Sequence, residues 1–180
     1  MRYEEIRDQI RTGDILACHG VATISKLIEA TTSHHDPEAW SHVGLFVWVG
    51  QGLFLAQEYE GEGFGIYPAS QLIAKFQAAG SSCSVGRAPK LVVDNSSAIF
   101  SLIETYRTTP HLRPYGYGSL LRILVDKEFH HNEDPDKVQA VCSIFDQQAW
   151  EKCGFTFARL FAPEDFKSVV EQIIPIDKAA

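Results

Sequence analysis

No stretch of this sequence is long and apolar enough to cross a bilayer. A membrane helix needs about 20 consecutive apolar residues, and the longest apolar run, Val43 to Val49, suits a buried strand instead. The N-terminus, MRYEEIRDQIRTGD, lacks the apolar core of about 7–15 residues that marks a secretory signal. Basic residues are the minority charge, with 16 Lys and Arg against 23 Asp and Glu, so the formal net charge is −7. A chain that tracks nucleic-acid phosphates needs a basic stripe, and nucleic acid is therefore not an expected partner. Cysteine is scarce, four in 180 residues, which excludes a disulfide scaffold. Cys18, Cys83, Cys142 and Cys153 are expected as free thiols in a reducing, cytoplasmic setting, in a cellular or a phage-encoded chain alike. If the protein works outside the cell, it is expected to leave by a route such as lysis. No CxxC or HExxH spacing occurs, so no metal or cofactor is expected. Repeats, linkers and low-complexity tracts are also missing.

What is present is a normal core composition. Hydrophobic residues make up 45% of the chain, and 11 Phe, 6 Tyr and 3 Trp supply large groups to bury. Disorder is excluded as the main state, and residues 1–180 read as one domain. Residues 3–11 have helical spacing and stop at Gly13. Asp14–Cys18 reads as a short strand, Ser25–Thr31 as a short helix and Thr31–Trp40 as a loop. Ser41–Val49 is the strongest strand signal, with Gly50–Gly52 as a hairpin turn and Leu53–Tyr59 as the returning strand. Ile66-Tyr67 and Ser84–Ala88 read as further strands. Helices are expected over Ala69–Ala79, Asp94–Thr108, Tyr115–Val125, Val138–Cys153 and Pro163–Ile173, with a charged loop over Glu128–Asp136. Strands cluster early and helices surround them. The expected class is α+β, an antiparallel sheet with packed helices.

The hairpin carries the first chemical signal. Alternation along Ser41-His42-Val43-Gly44-Leu45-Phe46-Val47 puts His42, Gly44, Phe46 and Trp48 on one face and Val43, Leu45, Val47 and Val49 on the other. An imidazole in a buried strand needs a hydrogen-bond partner. A turn over Gly50–Gly52 sets His42 near Tyr59 or Glu60, and a slip of one or two residues brings Glu58 or Gln57 beside it. A histidine held by an acceptor is half of a nucleophilic catalyst, and the other half is a thiol or hydroxyl. Cys142-Ser143 opens a helical stretch that can supply it. By periodicity alone, Cys142 reads better as a core cysteine. Asp134-Pro135 offers a competing cap that would place Cys142 mid-helix.

Taken in order, Gly13-Asp14-Ile15-Leu16, Ser41-His42-Val43-Gly44-Leu45, Glu58, Gly65-Ile66 with Pro68, Tyr115-Gly116-Tyr117 and Val141-Cys142-Ser143 resemble the circularly permuted NlpC/P60 enzymes, in particular the YiiX/YebB-like branch. The likeness spans roughly residues 12–165. It implies a papain-like fold and a thiol hydrolase in which His precedes Cys in the chain. Cys142 would be the nucleophile, His42 the general base, Glu58 the orienting third residue, and Tyr115 and Tyr117 oxyanion or substrate contacts. The implied partner is a peptide or acyl substrate: a peptidoglycan-type peptide, an isopeptide or a lipid acyl bond. Two positions depart from the pattern, Ile144 where an acid often follows Cys-Ser and Gly116 where Tyr-Asp is often found.

Other readings stand beside this one. The same fold can serve as an inactive binding module. The pairs His34-His35 and His130-His131 would be the basis of a metal-dependent hydrolase, although adjacent histidines do not share a helix face and read better as solvated loop residues. Gly61-Glu62-Gly63-Phe64-Gly65 lacks the Lys-Ser/Thr ending of a phosphate loop. Cys18-His19 is a rival thiol–imidazole pair, but neighbours on a strand point to opposite faces. Cys153 reads as core, and Cys83 has no assignable role.

Overall fold

Residues 1–19, 39–59, 63–109 and 142–178 are described by the computed structural model. Its frame is an antiparallel sheet of β1 (Ile15–His19), β2 (His42–Val49), β3 (Gly52–Tyr59), β4 (Gly63–Pro68), β5 (Ser82–Gly86) and β6 (Ile173–Ile176). The strand order is β4-β3-β2-β1-β5-β6, and every neighbouring pair is antiparallel. The helices are α1 (Tyr3–Ile6), α2 (Ala69–Ala78), α3 (Lys90–Asp94), α4 (Ser97–Thr108) and α5 (Cys142–Lys152). The class is α+β, as expected.

Each face of the sheet has its own core. Val43, Leu45 and Val47 of β2 join Ile15, Ala17 and Ala56 beneath α4 and α5, where Phe145 and Trp150 are wholly buried. Phe46 points the other way, into Leu16, Cys18, Leu55, Cys83 and the α2 residues Leu72 and Ile73. The period-2 alternation read from Ser41–Val49 is therefore realised as two cores back to back. Burial on both faces also explains why β1, at the middle of the sheet, reads as a continuous apolar run. Helix α4 buries Ile99, Leu102, Ile103 and Tyr106, the stripe its spacing predicts.

Several elements differ from expectation. The hairpin turn is Gly50-Gln51, because Val49 already pairs with Gly52, and Gly50 takes the left-handed φ of 59° that this tight reversal requires. The stretch 3–11 is α1 followed by a 3-10 turn at Arg7–Gln9. The expected helix over Asp94–Thr108 divides into α3 and α4, and β5 begins and ends two residues early. Pro163–Ile173 is not one helix: Pro163–Ser168 is a 3-10 segment, and Ile173–Ile176 is the edge strand β6. Pro175 hides that strand in the sequence, since proline is tolerated only where a strand leaves one side unpaired. The expectations for Ser25–Thr31, Tyr115–Val125 and Glu128–Asp136, and most of the loop before Trp40, fall outside the described residues.

The motif Gly13-Asp14 is structural. Gly13 has a φ of 100°, and its carbonyl accepts the Trp150 indole N–H at 2.9 Å, tying α5 to the start of β1. Asp14, 0% exposed, accepts the amides of Arg11 and Ala88, each at 2.9 Å, and the Arg87 guanidinium. Removing the carboxylate would leave a largely buried cation and two donors unpaired. Asp14→Ala is expected to cost about 3–5 kcal/mol in denaturant unfolding; a loss under about 1 kcal/mol would show that these bonds do not anchor the fold. Among the described residues, no helix is long and apolar enough to cross a membrane.

Candidate functional site

The site forms where the hairpin ladder ends. Phe46 donates its amide to Asp14 of the preceding loop at 2.8 Å, so the even residues of β2 spend their backbone groups on the β1 side. The odd residues therefore face β3. Pairing with β3 runs from Val49↔Gly52 to Leu45↔Ala56, and beyond it β2 continues against β1 (Cys18↔His42) and β3 against β4 (Glu58↔Phe64). The Val43 amide lies past the last rung. It donates to the sulfur of Cys142, as do the amides of Ser143 and of Cys142 itself. Backbone N–H groups are free to do this only in the first turn of a helix, which matches Cys142 as the first residue of α5. The thiol is 2% exposed, and burial pushes its pKa up against the pull of these three amides.

His42 lies on the opposite face of β2. Its ring packs on Phe76 of α2 at 5.2 Å between centroids, and its Nε2–H donates to Oε1 of Gln57 at 2.9 Å. An amide oxygen only accepts, so the ring proton sits on Nε2 and the lone pair on Nδ1. Burial lowers the His42 pKa, and the Gln57 bond opposes that shift. Gly44 makes the contact possible: a Cβ there would lie 2.7 Å from the Gln57 Oε1 and 3.3 Å from its Cβ. The glycine of the Ser-His-Val-Gly motif thus clears the path by which Gln57 reaches the imidazole.

Of the two acceptors left open by the hairpin register, Gln57 is the one the structure brings to His42. Glu58 alternates to the other face and shares its surroundings with Cys142. Its carboxyl is 0% exposed, and burial, with the nearby Cys142 sulfur, pushes its pKa up to about 9. Asp146, one helical turn beyond Cys142, is likewise buried, and desolvation followed by the same sulfur raises it well above the ordinary carboxylate range. Among the described residues, none donates a hydrogen bond to the Glu58 or Asp146 carboxyl oxygens. Glu58, at about 9, is neutral at pH 7 and can donate a proton, and Asp146 is shifted in the same direction. The structure therefore makes two groupings, Cys142 with Glu58 and Asp146, and His42 with Gln57. Among the described residues, no hydrogen bond joins His42 to Cys142; the link between them is the Val43 amide. Tyr115 and Tyr117 lie outside the described residues.

Asp146 was missed, although its spacing of four from Cys142 places both on one helix face. Cys18, weighed with His19 as a rival pair, and Cys83, given no role, stand opposite each other on β1 and β5 with their sulfurs 3.0 Å apart.

No family model matches this sequence, and no curated protein does. The fold has a counterpart among solved structures: the metalloprotein yiiX from Escherichia coli O157:H7 superposes with a TM-score of 0.54 over 95% of this chain and 98% of that one, at 15% sequence identity. At that identity the likeness is one of fold. That structure's description calls it a metalloprotein. Among the described residues, no group of three or more His, Cys, Asp or Glu side chains is placed to hold an ion. The pairs His34-His35 and His130-His131 lie outside those residues.

Proposed function

We propose that this protein is a cysteine hydrolase that cleaves an amide or ester through a thioester, with Cys142 as nucleophile and His42 as base. The observation that carries this reading is the docking of the Cys142 sulfur on the Val43 amide, one residue from an imidazole held by a side-chain acceptor. We assign the orienting place to Gln57, on the 2.9 Å bond, rather than to Glu58. An amide acceptor fixes the ring and its tautomer without adding charge. In the reaction, the sulfur attacks the acyl carbon and the thiol proton passes to His42, whose ring has to turn from the Gln57 side of β2 to the Cys142 side to receive it. His42 then delivers that proton to the leaving amine or alkoxide, and water resolves the thioester. Amides that converge on the sulfur are also suited to an oxyanion formed beside it. Glu58, held neutral, stands as a hydrogen-bond donor next to the same centre. Tyr115 and Tyr117 are assigned to substrate contact on the family resemblance alone. The substrate classes are a peptidoglycan-type peptide, an isopeptide or a lipid acyl bond.

A second reading rests on a specific observation. Cys142 is buried, with a raised pKa and two buried acids of raised pKa beside it, which suits a binding module that has kept the fold without the chemistry. Capture with an acyloxymethyl ketone probe, followed by peptide mapping, separates the two. The hydrolase gives one adduct, on Cys142, formed more slowly in His42→Ala. No adduct, or equal modification of all four cysteines, would favour the binding module.

Gln57→Ala is expected to slow capture at Cys142 by about tenfold or more, part of the ~10²–10⁴ that a positioned base contributes. Gln57→Glu, which keeps an acceptor oxygen, is expected to restore most of the rate and to move the controlling pKa upward. Equal loss in both variants would mean that Gln57 only fills space.

A further inference from the structure

The opposite face of the sheet carries a second thiol site, separate from Cys142. Cys83, Cys18 and His42 occupy one row across β5, β1 and β2, with Cys18 paired directly to each of the others. Side chains at directly opposed antiparallel positions project to the same face. The Cys18 and Cys83 sulfurs meet at 3.0 Å, and both residues are almost fully buried. Opposed residues of an antiparallel pair have Cα atoms about 4.5–5.5 Å apart, inside the roughly 4.4–6.8 Å range that a disulfide spans. The pairing of β1 with β5 is therefore compatible with an S–S bond between these two positions.

We propose that Cys18 and Cys83 form a redox-active dithiol, oxidised by a hydroperoxide to an intramolecular disulfide while Cys142 and Cys153 remain thiols. The two sulfurs are not equivalent. The hydrogen bond with Cys18, with His42 and Lys178 nearby, lowers the Cys83 pKa against the effect of burial. Cys18 is raised well above the ordinary thiol range, chiefly by burial. Of the two, Cys83 is thus the better attacking sulfur. Its sulfur takes the terminal oxygen of the hydroperoxide, the O–O bond breaks, and the other fragment leaves as water or an alcohol after protonation. Cys18 then attacks the Cys83 sulfenic sulfur, forms the S–S bond and expels water. Two thiols lose two electrons and two hydrogens, and the peroxide gains them. Reduction by a dithiol reverses the step.

The test uses the full chain. Reduced protein is exposed to hydrogen peroxide, remaining thiols are alkylated, and the digest is mapped by mass spectrometry. The expected product is a Cys18–Cys83 linked peptide, lighter by two hydrogens and abolished by dithiothreitol, with Cys142 and Cys153 alkylated. In Cys18→Ser, Cys83 is expected to stop at the sulfenic acid and to be trapped by dimedone. Cys83→Ser is expected to leave Cys18 reduced. Alkylation of both Cys18 and Cys83 after peroxide, or a Cys83 sulfinic acid in wild type without any linked peptide, would overturn the proposal. Because wild type gives the primary result, failure of a variant to fold does not obscure it.

Discussion

Cys142→Ala is expected to reduce hydrolysis of any cleaved amide or ester by on the order of 10³- to 10⁶-fold, since removing a nucleophile removes the covalent route itself. The residual rate should come from substrate binding and from the amides of Val43 and Ser143. Cys142→Ser makes the same point with almost no change in volume, because a buried hydroxyl is a far poorer nucleophile than a thiol. Both variants should keep the wild-type fold, since the packing of α5 rests on Phe145, Ala149 and Trp150, all fully buried. A substrate library separates amide from ester preference, with the Cys142→Ala protein as blank. Cleavage at an unchanged rate in that variant would remove Cys142 from the chemistry.

The second large effect is on stability. Glu58 has its pKa pushed from an ordinary 4.5 to about 9 in the folded protein, by burial first and Cys142 second. Between those values the folded chain keeps the proton and the unfolded chain has released it. The folded state binds more protons there, so stability falls as pH rises through that window. Glu58→Gln keeps the shape and carries no titrating proton. It is expected to be more stable than wild type at pH 8, by on the order of 3 kcal/mol, with the gap closing toward pH 5. Urea unfolding at several pH values reads this directly. Parallel pH profiles for the two proteins would show that Glu58 is charged and solvated in the native state.

How far the site was legible depends on what each residue's role requires. Ser41–Val49 was readable because both of its faces are buried, so its alternation survives in the sequence. The helix start at Cys142 and the buried strand at His42 were readable from the sequence as elements. The choice between Gln57 and Glu58 was not, because a shift of one residue in register sends every side chain to the other face. Gly44 did hold the answer in principle: a glycine opposite Gln57 marks the place where a side chain must cross the strand. The dithiol was hidden for another reason. Cys18 and Cys83 lie 65 residues apart in sequence, and only the pairing of β1 with β5 brings them together. The edge strand β6 was obscured by Pro175, and the helix expected there by the acids that crowd the first turn at Pro163–Asp165.

The central claim is that Cys142 is a nucleophile whose reactivity depends on His42. The most direct measurement is the rate of Cys142 alkylation by iodoacetamide as a function of pH, in wild type and in His42→Ala. The account predicts that wild type reacts about tenfold faster at pH 7, with a rate rise set by the imidazole, and that His42→Ala loses that rise and follows a buried thiol alone. Superimposable profiles for the two proteins would contradict it.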